Sequence, residues 1–550
     1  MRLLHGRGAE ARKLAALEAL GKLALGRPSE VLRLHEALCF LRAYPDSPRL
    51  LRRVERMLAR FERRADLARH REALAGSGIA GTAIAFRFFW PTARWLARRW
   101  GTHLAVVWDD FEHEERLADL LPLMTLFAET PALDEIAYTP RQWLARLKGP
   151  RETDAMFLTS RFAALPMDEF TREKIYDQID PPLRLRPGPR TPSRTHARHG
   201  RPKVVFQRGP LSRTRPDLLA ALGRLPPVRD VPRAEALALI DLAREAMVTR
   251  ERDLDVFSWA DPGDVRMIDG RGGLSFASIG AIPERRLLLE AVYAMLTLKN
   301  GVPIGYVLTS ALFGSSEIAY NVFETWRGAE AAAVYARVLA MVRRLFGSDS
   351  FTIFPYQLGE NNEEALASGA WWFYQKLGFR PRDPAARRWM NEELRRMRVQ
   401  PAHRSSRATL ERLARSNLYL HLGQPRADVI GLVPLPAVGL AVQRFVADRF
   451  GSDRERAARA CAGESARLLG AAPGPSWSAG ERLAWERWSP LVLVLPGVSR
   501  WSAAEKRALI EVIRAKGGPR ETEFVRRFDA HPRLRAAVRR LAAVTDAANP

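Results

Sequence analysis

The chain should fold as a mixed α/β protein, with a central sheet flanked by N-terminal and C-terminal mainly helical regions, and three observations predict it. Apolar residues recur at helical spacing through residues 1–180. Strand-length apolar runs gather between residues 254 and 323. From residue 318 to 381, extended and helical patterns alternate. At 550 residues, with roughly 100–200 residues per domain, two to four domains are expected. The 47% apolar content is enough for true cores.

In the N-terminal region, Leu14, Leu17 and Leu20, then Val31, Leu34, Leu38 and Leu41, mark helix faces with Arg and Glu between them. A turn at 44–48 starts a new amphipathic helix near Leu50. The helical pattern is interrupted at 76–81 and near 148–150, and 104–108 reads as a short strand. Residues 181–202 carry six Arg, no acidic residue and several Pro, which predicts an exposed linker or a strap over a neighbouring surface.

Residues 235–247 form one amphipathic helix, and the runs 254–259, 274–279, 291–298 and 304–310 read as strands. Asn300-Gly301 between the last two is a strong hairpin signal. The segment 291–298 could instead end a helix begun near Glu284. A strand at 318–323 leads into a helix with the stripe Ala331, Val334, Tyr335, Val338, Met341, Val342 and Leu345, closed by Gly347. A strand at 351–355 follows, then a helix capped by Asn361 or Asn362 and ending at Gly378, then an extended segment from Phe379. Beyond 381 the pattern is helical at 385–417, 437–450, 454–469 and 503–515. Residues 489–498, dense in branched apolars, suit a buried strand or core segment.

The net charge of +25 invites a polyanion partner. The basic residues are spread along the chain and only nine of 87 are Lys, so Arg-rich solvated helix faces are the favoured explanation. Cys39 and Cys461 are too few for a disulfide framework or a thiolate metal cage. No apolar run approaches the roughly 18–20 residues of a membrane span, and the N-terminus has no secretory apolar block. A cytoplasmic protein without a membrane partner is expected.

The chemistry gathers after the strand at 318–323. Arg327, Gly328 and Ala329 precede an Ala-rich helix whose first backbone N–H groups lack intrahelical partners. Small residues there let a diphosphate approach, and the helix dipole favours the anion. Trp326-Arg327-Gly328-Ala329-Glu330-Ala331-Ala332 resembles the pyrophosphate loop of the GNAT superfamily of acyl-CoA-dependent acyltransferases. Asn361-Asn362-Glu363-Glu364-Ala365 and Phe373-Tyr374-Gln375-Lys376-Leu377-Gly378-Phe379 resemble that family's Asn-x-x-Ala and Tyr-x-Lys-Leu-Gly-Phe patterns. Asn300 to Tyr306 is similar to the turn into the family's conserved-glycine strand. The resemblance covers about 130 of 550 residues. It departs from the family in the spacing of Asn362 from Tyr374, in Thr325 where Gln or Arg is usual, and in Glu330 where a small residue is usual.

The resemblance implies a GNAT-like mixed sheet at 234–384, between a helical domain at 1–180 with a basic linker or strap at 181–233 and a mainly helical region at 385–550. It implies acetyl-CoA or another acyl-CoA as cosubstrate and transfer of the acyl group to an amine of an unknown acceptor, a small molecule or a protein. Tyr374 would protonate the leaving thiolate, and Glu317 or Glu324 would serve as general base. Val322, Phe323, Arg327, Gly328, Ala329, Ala331, Asn361 and Asn362 would meet the cofactor. The alternative is a catalytically inactive GNAT-like interaction module, contacting nucleic acid through the basic linker at Arg184, Arg186 and Arg190.

Other motifs have plainer explanations. Gly76 to Gly81 matches GxGxxG by letters, but a charged helical pattern precedes it where a dinucleotide site needs a strand. Asp109, Glu112 and His113 could share a face for a divalent metal, but an acidic first helical turn explains them as well, and no metal is expected. Adjacent Trp371 and Trp372 point apart on a helix, which favours core packing over base stacking.

Overall fold

In a computed structural model, residues 4–546 are described, except residues 7, 201, 213, 329 and 472. The chain divides into two compact units. One holds Met1–Pro210, Leu237–Trp259 and Leu298–Ile304, and the other holds Leu211–Ala236, Ala260–Thr297 and Gly305–Pro550. The C-terminal helices therefore belong to one unit with most of the sheet, rather than standing as a region of their own.

The first unit is helical around a small sheet. Helices at Ala9–Lys22, Pro28–Ala43 and Pro48–Ala59 follow the Leu periodicity, and Ser47 caps the third. Strands β1 (Ile84–Phe86), β2 (Leu104–Val106) and β3 (Leu183–Leu185) pair antiparallel, with β3 in the middle. Trp90, fully buried, packs on Phe162 and Tyr176 in the core beside this sheet.

The predicted basic linker is a strap pinned by its main chain. Arg42 donates to the carbonyls of Arg194, Thr195 and Ala197, and the Thr195 hydroxyl meets both His35 and the Ala80 N–H. Arg194 and Arg198 pair with Glu36 and Glu55. The GxGxxG segment is a turn leading into β1: Gly78 has φ +68 and touches the Thr249 carbonyl so closely that no Cβ fits. The run 254–259, expected as a strand, is instead a short helix at Asp255–Ser258. Half-buried Asp253 accepts from Thr92, Ser258 and the N–H groups of Leu254 and Phe89, which fixes the chain in a turn.

Nine strands form the main sheet: β4 (Val228–Asp230), β5 (Ala260–Arg271), β6 (Leu274–Ala281), β7 (Ala291–Lys299), β8 (Val302–Leu312), β9 (Ser315–Val322), β10 (Ser350–Ile353), β11 (Arg380–Pro381) and β12 (Leu418–His421). Their order is β11-β12-β10-β9-β8-β7-β6-β5-β4. Asn300 and Gly301, at φ 50 and 80, turn β7 into β8 as the hairpin signal predicts. The alternative helix ending at Leu298 does not form. Pro283–Arg285 makes a single 3-10 turn, and the chain is extended from Ala291.

β8 and β9 are antiparallel from Leu312↔Ser315 to Gly305↔Val322, and β9 and β10 are parallel. Between β9 and β10 the helix Ala331–Phe346 buries Val334, Tyr335, Val338, Met341, Val342 and Leu345, the stripe read from its spacing. The single helix expected from Asn362 to Gly378 is two helices, Glu363–Ser368 and Ala370–Leu377, because Gly369 at φ +67 breaks the chain.

The helical stretch at 385–417 is likewise two helices, Pro384–Val399 and Arg407–Ala414. Residues 489–494 end a helix, Ala479–Val494, and are not a strand. Pro490 lies inside that helix, and the Ser489 hydroxyl donates to the Trp485 carbonyl at 2.7 Å in the turn before it. Leu491, Val492 and Leu495 are buried, as a core segment requires. Arg286 donates to the carbonyls of Lys516 and Gly518, and Trp488 donates to that of Leu288, tying the last helices to the sheet. Among the described residues no helix is long and apolar enough to cross a membrane.

Candidate active site

The parallel pair β9 and β10 positions the site. Their register runs Ser315↔Ser350, Ser316↔Phe351 and Glu317↔Thr352, and β10 ends at Ile353. Pro355 then begins a one-turn helix, so the chain cannot follow β9 further. β9 continues to Val322 with β8 on one side. The two parallel strands thus part just beyond Glu317, leaving an edge of β9 that leads to the start of the Ala331 helix. Gly305 keeps β8 against that stretch, since a Cβ there would strike the Asn321 carbonyl.

The loop beyond β9 has a mixed set of partners. Val322 is half-buried and its carbonyl accepts from Arg327 Nε at 3.2 Å. Phe323 is buried and its carbonyl accepts from the Trp326 N–H at 2.9 Å. Glu324 is exposed in the 3-10 turn Glu324–Trp326. Arg327, also exposed, forms an ion pair with Glu364. Gly328 has φ +73 and open space around its Cα, and Ala329 lies outside the described residues.

Glu330 takes the cap position of the helix but makes no side-chain hydrogen bond to its first turn, and Ala331 is only half-buried. The Glu330 side chain therefore does not cap the first turn of the helix. Asn361 is exposed at φ 52. Asn362 caps the Glu363 helix, accepting from the Ala365 N–H at 3.1 Å and donating to the Tyr356 carbonyl at 3.0 Å.

Beside the parting point stands a cluster of carboxyls and phenols. Glu317, half-buried, stands opposite Ser310 in the register of β8 and β9. Burial first, then the neighbouring carboxyl of Glu290, push the Glu317 carboxyl up to about 7. Tyr335 comes from the Ala331 helix and Tyr374 from the Ala370 helix, with rings 5.4 Å apart and both side chains buried. The Tyr320 ring of β9 lies tilted against Tyr335, with centroids 5.4 Å apart. Burial, then the Glu317 charge, hold the Tyr374 phenol above its ordinary range, so it remains a proton donor.

Of the three residues expected to carry chemistry, Glu317 and Tyr374 are therefore neighbours, whereas Glu324 lies out on the exposed turn. Four members of the cluster were not singled out from sequence: Glu290, Ser310, Tyr320 and Tyr335. The hairpin turn Phe313-Gly314, both at positive φ, fixes Ser310 opposite Glu317, but Phe-Gly is a weaker turn signal than Asn-Gly. Tyr335 sits in the apolar stripe and so reads as core.

The Tyr335 hydroxyl is fully buried with no hydrogen-bond partner. Tyr335→Phe should therefore raise stability, by about 1–2 kcal/mol, because an unsatisfied buried hydroxyl is removed without opening a cavity. Urea denaturation of the two proteins measures this, and a loss of stability would mean the hydroxyl has a partner in solution.

Among the described residues no three His, Cys, Asp or Glu side chains are grouped to hold a metal ion. Asp109 and Asp110 lie in a 3-10 turn and His113 precedes the helix Glu114–Met124. Comparison of the chain with protein-family models, with curated proteins and with solved structures finds no match.

Proposed function

We propose that the second unit is an acyl-CoA-dependent N-acyltransferase of GNAT type that passes an acyl group, acetyl in the simplest case, to an amine. The observation that carries this reading is the parting of β9 and β10 beside Glu317 and Tyr374, directly before a helix that the Glu330 side chain does not cap. A carboxylate and a protonated phenol at one parting point are the base and acid that aminolysis of a thioester needs.

In this reading the Glu317 carboxylate accepts the proton of the attacking amine, whose nitrogen bonds to the thioester carbon. As the C–S bond breaks, the Tyr374 O–H protonates the thiolate, giving an amide and the free thiol, and the proton held by Glu317 then restores the Tyr374 phenol, so that no net proton is gained or lost. The open surface at Gly328 and the first turn of the Ala331 helix would receive the diphosphate. Arg327 would exchange its Glu364 partner for phosphate oxygens. Asn362, engaged as a cap, would contribute little. Rate enhancement would come mainly from positioning the thioester.

Calorimetry of the full chain with acetyl-CoA tests the reading. Binding tighter than ~1 mM is expected, and no heat at millimolar ligand removes it. Tyr374→Phe should leave that binding unchanged and lower kcat about 10- to 100-fold, measured as release of free thiol.

A second reading, a scaffold of this type without catalysis, draws on the ion pair of Arg327 and the capping role of Asn362, which occupy two expected cofactor contacts. Binding of acetyl-CoA without thiol release under any amine would favour it. As a nucleic-acid surface the strap is weakened, since Arg194 and Arg198 are already paired with carboxylates.

A further inference from the structure

Residues 125–140 of the first unit fold into turns and short helices, yet none of them is buried. Local bonds set their shape. The Glu129 carboxylate accepts from the Leu126 N–H at 2.6 Å, and the Thr130 hydroxyl donates to the Phe127 carbonyl at 2.8 Å. The Ile136 N–H donates to the Ala132 carbonyl at 3.0 Å. Half-buried Leu133 and Tyr138 pack against the core of the unit. Phe127, by contrast, is 91% exposed, Leu126 70%, Leu123 57% and Ile136 42%. Four of the fifteen exposed large apolar side chains among the described residues thus fall within fourteen positions, a concentration rather than the usual scatter.

Charge sets this stretch apart as well. Residues 109–135 hold nine acidic residues and one basic, Arg116, in a chain whose net charge is +25. Asp109, Glu112 and Glu115 pair with Arg141, Arg87 and Arg116. Asp119, Asp134 and Glu135 are exposed and enter no ion pair among the described residues. Asp119 lies one turn from Leu123 on the helix Glu114–Met124, and Asp134 and Glu135 directly precede Ile136. A negative field here repels nucleic acid and anionic membranes and attracts a cationic partner.

We propose that residues 119–136 dock a basic amphipathic helix of a partner protein, with Leu126 and Phe127 as apolar anchors and Asp119, Asp134 and Glu135 as the charged flank. A rigid aromatic ring buries a large area at little cost in conformational freedom, which suits Phe127 to the centre of such a contact. Lys or Arg beside the apolar stripe of the partner would meet the carboxylates, which speeds encounter and makes binding sensitive to salt. The inference concerns the first unit alone and does not rest on acyl transfer.

A fluorescent peptide of leucine and lysine, patterned as an amphipathic helix, tests the surface on the full chain by anisotropy. The net positive charge discourages such a peptide from binding elsewhere. A Kd of about 10 μM or tighter is expected. Leu126→Ser together with Phe127→Ser should weaken binding at least about 10-fold. Because both side chains are exposed, that pair should leave the urea midpoint unmoved. Asp134→Asn together with Glu135→Gln should weaken binding and flatten its salt dependence. An isomeric peptide without the apolar face should bind less well, and a leucine–glutamate peptide should not bind. Failure of the leucine–lysine peptide to bind, or an affinity unmoved by the two serine substitutions, overturns the proposal. Self-association of the chain that disappears with those substitutions, read by light scattering, also overturns it, since a second copy would then be the occupant. Binding to phosphatidylcholine vesicles that depends on Phe127 does the same.

Discussion

Glu317→Gln should lower the rate of acyl transfer about 10²- to 10⁴-fold, as expected when a general base is removed, and should erase the pH dependence that the base supplies. The wild-type rate should climb as pH rises through about 7, where the carboxyl ionises, and level off above it. In the variant that rise should be absent.

The same substitution has an opposite effect on stability. The folded-state carboxyl titrates near 7 against an ordinary value of 4.5, so folding favours the protonated form. That stabilisation is fully present below 4.5 and is lost as pH rises through about 7. After allowance for partial solvent contact, the wild type gives up on the order of 2 kcal/mol across this window. The glutamine variant does not. At pH 8 it should resist urea better than the wild type, whereas near pH 4.5 the two should be closer. Denaturation curves at the two pH values, set beside initial rates, check both halves. A variant that keeps full activity and its pH rise would clear Glu317 of any role as base.

Trp371→Ala should be the most damaging single change near the site, costing about 3–5 kcal/mol. The indole is fully buried, packs edge-on against Trp372 at 4.7 Å, and donates to the Leu413 carbonyl at 3.1 Å. Its loss leaves a cavity and an unpaired buried carbonyl together. Trp372→Ala should cost less, because that ring, though buried, is 9% exposed against none for Trp371, and it donates to the Ser405 hydroxyl at 3.0 Å rather than to a main-chain carbonyl. Because Tyr374 is on the same short helix, Trp371→Ala should also reduce transfer in molecules that remain folded. Equal losses at 371 and 372 would mean that the deeper burial of Trp371 and its bond to the Leu413 carbonyl add nothing.

The sequence determined those features whose physics is local. The Val334–Leu345 stripe and Gly347 were legible as a helix and its stop because burial and capping act within a few residues. Asn300-Gly301 was legible as a hairpin because few residue pairs tolerate two positive φ angles in succession. Glu317 and Tyr374 were singled out from position and resemblance. β5 was not legible: Pro262, Gly263 and Gly270 interrupt its pattern, and Pro and Gly are disfavoured inside strands. The structure absorbs them in register irregularities between Ala260 and Val265 and after Asp269, with Asp264 buried against the Tyr293 hydroxyl. β12 was missed because it owes its place to pairing with β10 and β11, far away in the chain.

Only the tertiary structure decided where β9 and β10 separate, that Asn362 spends its side chain on a cap, and that Arg327 pairs with Glu364. It alone set Glu317 opposite Ser310 across the pair β8 and β9. Strand register sets which side chains face one another, and a slip of one residue would turn Ser310 away from Glu317. Helix faces and tight turns are written in neighbouring residues. The contacts that tune a carboxyl are made across strands, where only the assembled sheet fixes distance and burial.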